Sequence, residues 1–161
     1  MEFSGLSKFS LKVLVTAFLF TLLLNASTWE TFKVTTVPPE IRRNMNLSGF
    51  YQKHVVIGGF SIVGSSKVSD FALKEAAYLI EKMTMKHPEY LQKLAENKVR
   101  FSIMARDEFT TDIPEHSDMT PAIFWDKRAR GLGATPARPA VSCGEENLLA
   151  IEGDPYNGKI Y

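Results

Sequence analysis

The side chains most suited to chemistry lie close together in the segment 110–118. Three carboxylates and one imidazole fall within these nine residues, among them Asp112, Glu115 and His116. Oxygen and nitrogen donors at this spacing can bind a metal ion, or a carboxylate can hold one tautomer of the histidine. A capped, solvated turn beside a proline uses the same residue types. Because the sequence contains no His-Glu-x-x-His motif, we favour the turn and predict no metal ligand.

Three arginines form a second candidate group in the segment 128–139, namely Arg128, Arg130 and Arg138. Guanidinium forks are suited to clamp a carboxylate or a phosphate. The Gly-x-Gly in this segment does not indicate a nucleotide-binding loop, because the third glycine, the preceding strand and the following helix are missing. Two prolines also prevent a helix whose N-terminus would hold the phosphate.

Charge alternates in sign along the second half of the chain. Residues 106–118 have a net charge of −4, residues 126–138 of +3 and residues 145–154 of −4. Adjacent blocks of opposite sign can hold an irregular segment together through arginine–carboxylate forks. The same side chains can line a binding cleft, since functional residues often lie on loops. Both interpretations stay open at this point.

The N-terminus has the pattern of a secretory signal peptide. Two lysines precede an uncharged apolar run over residues 13–24, and the small residues Ala26 and Ser27 follow. The run is shorter than the roughly 20 apolar residues that span a bilayer, so we predict a cleaved signal peptide at 1–27. The mature chain is then expected to be secreted, with no membrane attachment after cleavage.

Composition excludes several classes of protein. The net charge of +1, which becomes zero after signal cleavage, does not match a nucleic-acid-binding protein. A single cysteine, Cys143, excludes a disulfide-rich scaffold and a cysteine-based zinc finger. Behind a signal peptide, Asn46-Leu47-Ser48 is an N-glycosylation sequon. We therefore expect a secreted globular glycoprotein without nucleic-acid partners.

The first half of the mature chain predicts a helix packed on a sheet. Residues 28–50 read as an irregular leader, and residues 51–65 as one bent strand or a tight strand pair around two glycines. Residues 99–105 alternate as a strand should. Between them lies a helix over 69–87 with Ser69 as its N-cap, followed by a short helix to Asn97. The apolar stripe of the first helix is predicted to consist of Ala72, Ala76, Leu79, Ile80 and Met83.

The second half predicts a long loop that is ordered. Residues 106–147 show little periodicity but contain aromatic and aliphatic side chains, which favours a packed loop. Residues 146–151 read as a short strand. The predicted fold class is therefore α+β, with a βαβ-like sheet-and-helix layer followed by a long ordered loop.

Four stretches of the chain resemble one protein family. They are Thr-Thr-Asp-Ile-Pro-Glu-His (110–116), Arg-Ala-Arg-Gly-Leu-Gly-Ala-Thr-Pro-Ala-Arg-Pro (128–139), Glu-Glu-Asn-Leu-Leu (145–149) and Gly-Asp-Pro-Tyr (153–156). They resemble a largely uncharacterised family of secreted, zincin-like zinc metallopeptidases with an HExxH motif. The resemblance covers about residues 50–161 and implies that 51–161 form a partial metallopeptidase-like domain.

In that family the Gly-Asp-Pro-Tyr turn leads into a helix with a His-Glu-x-x-His motif, whose histidines bind zinc and whose glutamate activates a water. This sequence reaches Tyr161 before any such motif. The resemblance therefore implies the N-terminal subdomain of a zincin-like fold, truncated before the metal-binding helix. Zinc is expected only with a downstream HExxH segment.

The resemblance also implies partners and a surface. A peptide or protein substrate is expected, together with the missing C-terminal segment. Arg128, Arg130 and Glu145 would lie near the cleft, and the strand around Leu148 would line it, with an edge open to an extended peptide. Without the metal-binding helix, the sheet should expose an apolar face that includes some of Val99, Phe101, Ile103 and Leu148.

Three hypotheses about function follow. The first is a secreted metallopeptidase-like protein that is not catalytic as this chain. The alternative is a secreted, non-enzymatic binding module that uses the 106–147 loop. The third is an enzyme built on Asp112, Glu115 and His116, which ranks last because hydrolytic zinc sites normally need three protein ligands and an open position.

Overall fold

The computed structural model describes residues 31–149. The predicted signal peptide (1–27) and the Gly-Asp-Pro-Tyr turn (153–156) lie outside the described residues, as do the last two residues of the predicted strand 146–151. The strands are β1 (Thr35–Thr36), β2 (Lys53–Ile57), β3 (Phe60–Gly64), β4 (Arg100–Met104) and β5 (Ala140–Gly144). The α-helices are α1 (Pro39–Asn44), α2 (Asp70–Thr84), α3 (Glu89–Glu96) and α4 (Ala122–Arg128). Short 3-10 helices cover Thr110–Asp112, Pro114–His116 and Glu145–Asn147.

The five strands form one mixed sheet in the order β1-β2-β3-β4-β5. Strands β1, β2 and β3 are antiparallel neighbours, whereas β3, β4 and β5 run parallel. The predicted fold class, α+β, is thus confirmed at this level. The predicted tight pair around the two glycines is the β2–β3 hairpin, in which Gly58 and Gly59 have positive φ values of 51° and 85°. Positive φ at both turn positions matches the twist of a two-residue hairpin.

Helix α2 begins where the sequence predicts. The Ser69 hydroxyl accepts a hydrogen bond from the Phe71 amide at 3.3 Å, which caps the helix. Its packed stripe is rotated relative to the prediction: Leu73 and Ala77 are buried, while Leu79 and Met83 are 39% and 83% exposed. The buried face of the helix is thus formed by Ala72, Leu73, Ala76 and Ala77.

The sheet is covered on both faces. Helices α2 and α3 pack over β2 and β3 on one face, around the buried Phe60, Ile62 and Leu73. On the opposite face lies a second core of Val37, Met45, Leu47, Tyr51 and Val63.

This second core corrects the prediction of an irregular leader over 28–50. The segment contains β1 and α1, and its apolar side chains pack on the sheet, so it belongs to the same unit as residues 51–149. Pro39 occupies the first turn of α1, where a proline is well tolerated. A six-residue helix is too short to show a sustained period, which is why sequence analysis overlooked it.

The predicted strand at 146–151 is wrong over its described part, where a 3-10 helix covers Glu145–Asn147. The observed strand, β5, lies just upstream, inside the segment that was predicted to be a loop. Strand β5 is short, contains small residues and follows two prolines of the arginine segment, so it lacks the alternation that identified β4. The long loop is ordered as expected, but it also contains α4.

Candidate functional site

The parallel strands bring charged side chains together at their carboxyl ends. In open α/β sheets, ligands bind preferentially at this edge. Here the chain after β4 and the chain after β5 meet the start of α2. We call this group of side chains the strand-end cluster; its members are Ser69, Glu108, Arg130, Glu145 and Glu146.

Glu145 joins three elements within the strand-end cluster. Its carboxylate accepts hydrogen bonds from the backbone amides of Ser69, at 2.8 Å, and Arg106, at 3.0 Å. A carboxylate is favourable at the N-terminus of a helix because it faces the positive end of the helix dipole. Glu145 is only 8% exposed, so it ties the end of β5 to the start of α2 and to the chain after β4.

Arg130 forms a fork with the neighbouring carboxylate. Its Nε donates to Glu146 Oε1 at 2.6 Å and its Nη2 to Glu146 Oε2 at 3.0 Å. The same guanidinium donates to the backbone carbonyls of Ala105 and Glu108. The side chains of Arg130 and Glu146 are 11% and 1% exposed. The strand-end cluster therefore uses its charges to hold the crossover between β4 and β5, as the structural interpretation predicts for this arginine.

The outer edge of β5 is also engaged. The amides of Ser142 and Gly144 donate to the carbonyls of Leu132 and Arg130, both at 2.9 Å. Leu148, which was expected on an edge strand lining a cleft, instead follows the 3-10 helix at 145–147. The predicted open edge around Leu148 is thus corrected, because residues 130–132 and not a separate peptide accept the hydrogen bonds of β5.

A second charged group lies on the sheet face opposite α2. We call it the Tyr51 cluster; it consists of Tyr51, Arg100, Ser102 and Glu115. Arg100 Nε donates to Glu115 Oε1 at 2.9 Å, and the two side chains are only 6% and 8% exposed. The Tyr51 hydroxyl donates to the other oxygen of Glu115 and lies 2.9 Å from the Ser102 hydroxyl. Burial, reinforced by the charge of Glu115, raises the pKa of Tyr51.

The candidate donors of 110–118 are not gathered at one point. Asp112 is exposed and accepts a hydrogen bond from the Phe109 amide at 2.8 Å, as a turn residue does. Glu115 is paired with Arg100, so the prediction of a solvated turn is wrong for this residue. His116 is 1% exposed, and its Nδ1 has no hydrogen-bond partner among residues 31–149. Burial lowers the pKa of His116, although the nearby Glu115 opposes the shift.

These donors do not fit a zinc ion. Both oxygens of Glu115 already accept hydrogen bonds, and Asp112 caps a turn away from them. Across residues 31–149, no three His, Cys, Asp or Glu side chains are grouped so that they could share a metal ion.

The three candidate arginines have three different surroundings. Arg130 belongs to the strand-end cluster, whereas Arg138 pairs with Asp118 through Nη2 at 2.8 and 3.0 Å. Arg128 is exposed, with its guanidinium 5.6 Å from the centre of the Phe124 ring. The structure therefore does not assemble them into one anion clamp.

Sequence analysis missed Tyr51, Arg100, Glu108 and Glu146. Arg100 carried a usable signal, because it lies inside the most regular strand of the sequence. A charged residue within a buried strand requires a partner. The partner of Arg100 is Glu115, which lies in the nearest acidic block, 106–118.

Cys143 lies on the helix-covered face of the sheet. Burial raises the pKa of its thiol to about 12, so the thiolate form is scarce near neutral pH. His54, on the opposite face, is buried and lies 3.1 Å from the Ser61 hydroxyl, and burial lowers its pKa. The surroundings of both residues are therefore structural.

The sheet is covered unevenly on the face of α2. Helices α2 and α3 lie over β2 and β3. Over β4 and β5, the half-buried Phe101 and Cys143 are joined by Leu148 and Leu149 from the chain after β5. Ile103, one of the four residues from which an uncovered face was expected to form, is fully buried. Val99, Phe101 and Leu148, also named for the expected uncovered face, are partly buried and packed against the core, as are Cys143 and Leu149. We call these five side chains the half-covered strip.

Comparison of the chain with protein-family models, with curated proteins and with solved structures finds no match. Among residues 31–149, no helix is both long and apolar enough to cross a bilayer. The fold and the two charged groups define an α+β unit with a mixed sheet and a tightly clamped crossover.

Proposed function

We propose that this chain forms the sheet-and-helix part of a secreted, zincin-like metallopeptidase and does not hydrolyse peptide bonds by itself. The observation that carries the proposal is the half-covered strip. It lies beside α2 on the same face of the sheet, where a further helix would complete the layer. An apolar strip of this kind in a secreted domain favours a partner element.

The residues that carry the family resemblance support a scaffold role. Glu145 and Glu146, from the stretch 145–149, hold Arg130 and the start of α2, and Arg130 comes from the stretch 128–139. Glu115, from the stretch 110–116, pairs with Arg100 of β4. These side chains are already paired in holding the crossover between β4 and β5. The proposal therefore assigns peptide hydrolysis to residues outside the 161-residue sequence.

The experiment is a metal and activity assay on the secreted full chain. Zinc content is measured by mass spectrometry, and hydrolysis is followed on an unfolded, fluorescently labelled protein with and without a chelator. We expect neither bound zinc nor chelator-sensitive hydrolysis. Stoichiometric zinc together with chelator-sensitive hydrolysis would contradict the proposal, because the chain would then be an enzyme by itself.

A second candidate function is a binding module that uses the 106–147 loop. It is favoured by α4, which has no buried residue, and by the exposure of Phe109 (52%), Ile123 (63%) and Phe124 (48%) on this loop. The double substitution Ile123→Ser and Phe124→Ser should abolish binding of a loop partner from extracellular fluid. The matched control is Met83→Ser on α2, which is 83% exposed and should leave binding unchanged.

A further inference from the structure

The sequon Asn46-Leu47-Ser48 lies in a rigid turn directly after α1. Arg42 fixes the turn, because its Nη1 donates to the Ser48 carbonyl and its Nη2 to the Tyr51 carbonyl, both at 2.6 Å. The Ser48 hydroxyl accepts from the Phe50 amide at 3.2 Å. Asn46 is exposed and has a positive φ of 50°, a conformation that asparagine adopts more readily than most residues. The backbone around the sequon asparagine is therefore held by the fold.

A cavity of about 370 Å³ opens beside this turn. Asn46 itself lines the cavity, together with Leu47, Ser48, Arg100, Pro114 and Glu115. An arginine has five N–H donors. In Arg100 one donates to the Lys98 carbonyl at 3.0 Å and two donate to Glu115. Each of the three guanidinium nitrogens therefore donates at least one hydrogen bond, and the side chain is only 6% exposed.

We propose that Asn46 carries an N-linked glycan whose first sugar unit lies over this cavity. The inference rests on the secretion part of the proposed function and is independent of the peptidase resemblance. The donor is a polyprenyl-diphosphate-linked oligosaccharide of the secretory pathway. The Asn46 amide nitrogen forms a bond to the anomeric carbon of the first N-acetylglucosamine, the bond from that carbon to phosphate oxygen breaks, and the amide loses one proton while the polyprenyl diphosphate leaves.

The cavity has the chemistry that this sugar requires. The acetamido carbonyl of N-acetylglucosamine accepts hydrogen bonds, and Arg100, which lines the cavity, is a hydrogen-bond donor. The ring of Pro114 provides an apolar wall for the sugar ring. Because Arg100 is already held by Glu115, the sugar would meet a preorganised donor, which lowers the entropic cost of the contact.

The first test measures modification separately from secretion. The full chain is expressed in cultured secretory cells with its own residues 1–27, and also with these residues replaced by an established signal peptide. A peptide N-glycosidase, which hydrolyses the glycosylated asparagine amide to aspartate, is applied in heavy-oxygen water, and mass spectrometry should then find the mark at position 46 in both. Asn46→Gln and Ser48→Ala should lose the mark. The control Asn44→Gln, which is outside the sequon, should retain it.

The outcomes separate the two proposals. If only the chain with the established signal peptide is marked, the secretion proposal fails while the glycan proposal stands. If Asn46 remains unmodified in chains recovered from the medium, the glycan proposal is overturned.

The second test locates the sugar. The glycan is trimmed enzymatically to one N-acetylglucosamine, and nuclear Overhauser contacts are measured between its acetyl methyl group and the side chains that line the cavity. Contacts to Pro114 are expected. A sugar that gives no contact to any lining residue would overturn its placement over the cavity.

Discussion

Charged side chains in this protein stabilise the fold only because they are paired. Arg100 and Glu115 are nearly fully buried, and a buried charge without its partner is costly. The Tyr51 hydroxyl completes the coordination of Glu115 and links it to Ser102 of β4. The Tyr51 cluster therefore fixes the 3-10 helix at 114–116 on the sheet.

Glu115→Gln should destabilise the protein by about 3 kcal/mol, because it leaves the buried charge of Arg100 without its partner. Urea denaturation measures the change in the free energy of unfolding. The control is Glu96→Gln in the exposed Lys93–Glu96 pair, which should have almost no effect. A Glu115→Gln protein as stable as the wild type would show that the pair contributes nothing.

His116 should make stability depend on pH. Its pKa in the folded protein is lowered from 6.5 by burial and by Arg138, whereas Glu115 and Asp118 oppose the shift. The unfolded chain therefore binds a proton at His116 more readily than the folded protein does. The stability that neutral His116 contributes is complete above pH 6.5 and is lost as the pH falls through the lowered pKa of the folded protein.

Denaturation midpoints are measured at one pH above this range and at one pH below it. The difference between the two midpoints should be smaller in His116→Gln than in the wild type. His54, whose pKa burial also lowers, leaves a remaining slope in that variant. An unchanged slope in His116→Gln would mean that this histidine is protonated equally in both states.

At the scale of elements, the sequence predicts those structures that have a sufficient length of regular pattern. Helix α2 has a capping serine and several turns of periodicity, and β4 alternates over its length. Helix α1 has only six residues, and β5, although as long as β4, consists mostly of small residues; both elements are stabilised by contact with the sheet. Tertiary contacts that join distant segments leave no local signal, which is why these two elements were missed.

The residues of the candidate site, too, were predictable only where the sequence carries a local pattern. The charge blocks predicted arginine–carboxylate forks, and the fork between Arg130 and Glu146 is present. Which arginine meets which carboxylate depends on the register of β5 beside β4, and sequence analysis had placed the strand downstream of its true position. Tyr51 and Ser102 carry no local pattern at all, because 51 positions separate them along the chain.

The β2–β3 hairpin should require glycine at its turn. Gly58→Ala should cost about 1–2 kcal/mol, since an added Cβ is unfavourable at positive φ. It would also lie 3.2 Å from Leu91 Cδ1 of α3. Gly49→Ala is the matched control, because its Cβ would meet no atom within 4 Å. Thermal unfolding of the two variants measures the difference, and equal melting temperatures would contradict the requirement.

The crossover between β4 and β5 should loosen in Arg130→Lys. Lysine keeps the charge but cannot form the fork to Glu146, so the free energy of unfolding should fall by about 2 kcal/mol. Hydrogen exchange of the Gly144 amide, which donates to the Arg130 carbonyl at 2.9 Å, should become faster. Arg128→Lys, on the exposed side of α4, should leave this exchange unchanged. Equal protection in both variants would mean that backbone hydrogen bonds alone hold the crossover.

At the scale of the whole molecule, coverage of the sheet is the feature that bears on function. Residues 37–51 and the 3-10 helix at 114–116 lie on one face, and α2 and α3 pack over β2 and β3 on the other. The half-covered strip lies over β4 and β5, directly beside the strand-end cluster whose charges are already paired. The described residues thus provide a rigid support, and the strip is where we expect a further helix to pack.

Sequencing of complete transcripts from the source of this chain tests the metallopeptidase proposal most directly. We predict transcripts in which the codon of Tyr161 is followed, in frame, by a segment encoding a His-Glu-x-x-His motif. Transcripts that all encode this sheet without such a motif would contradict the proposal and favour the binding module.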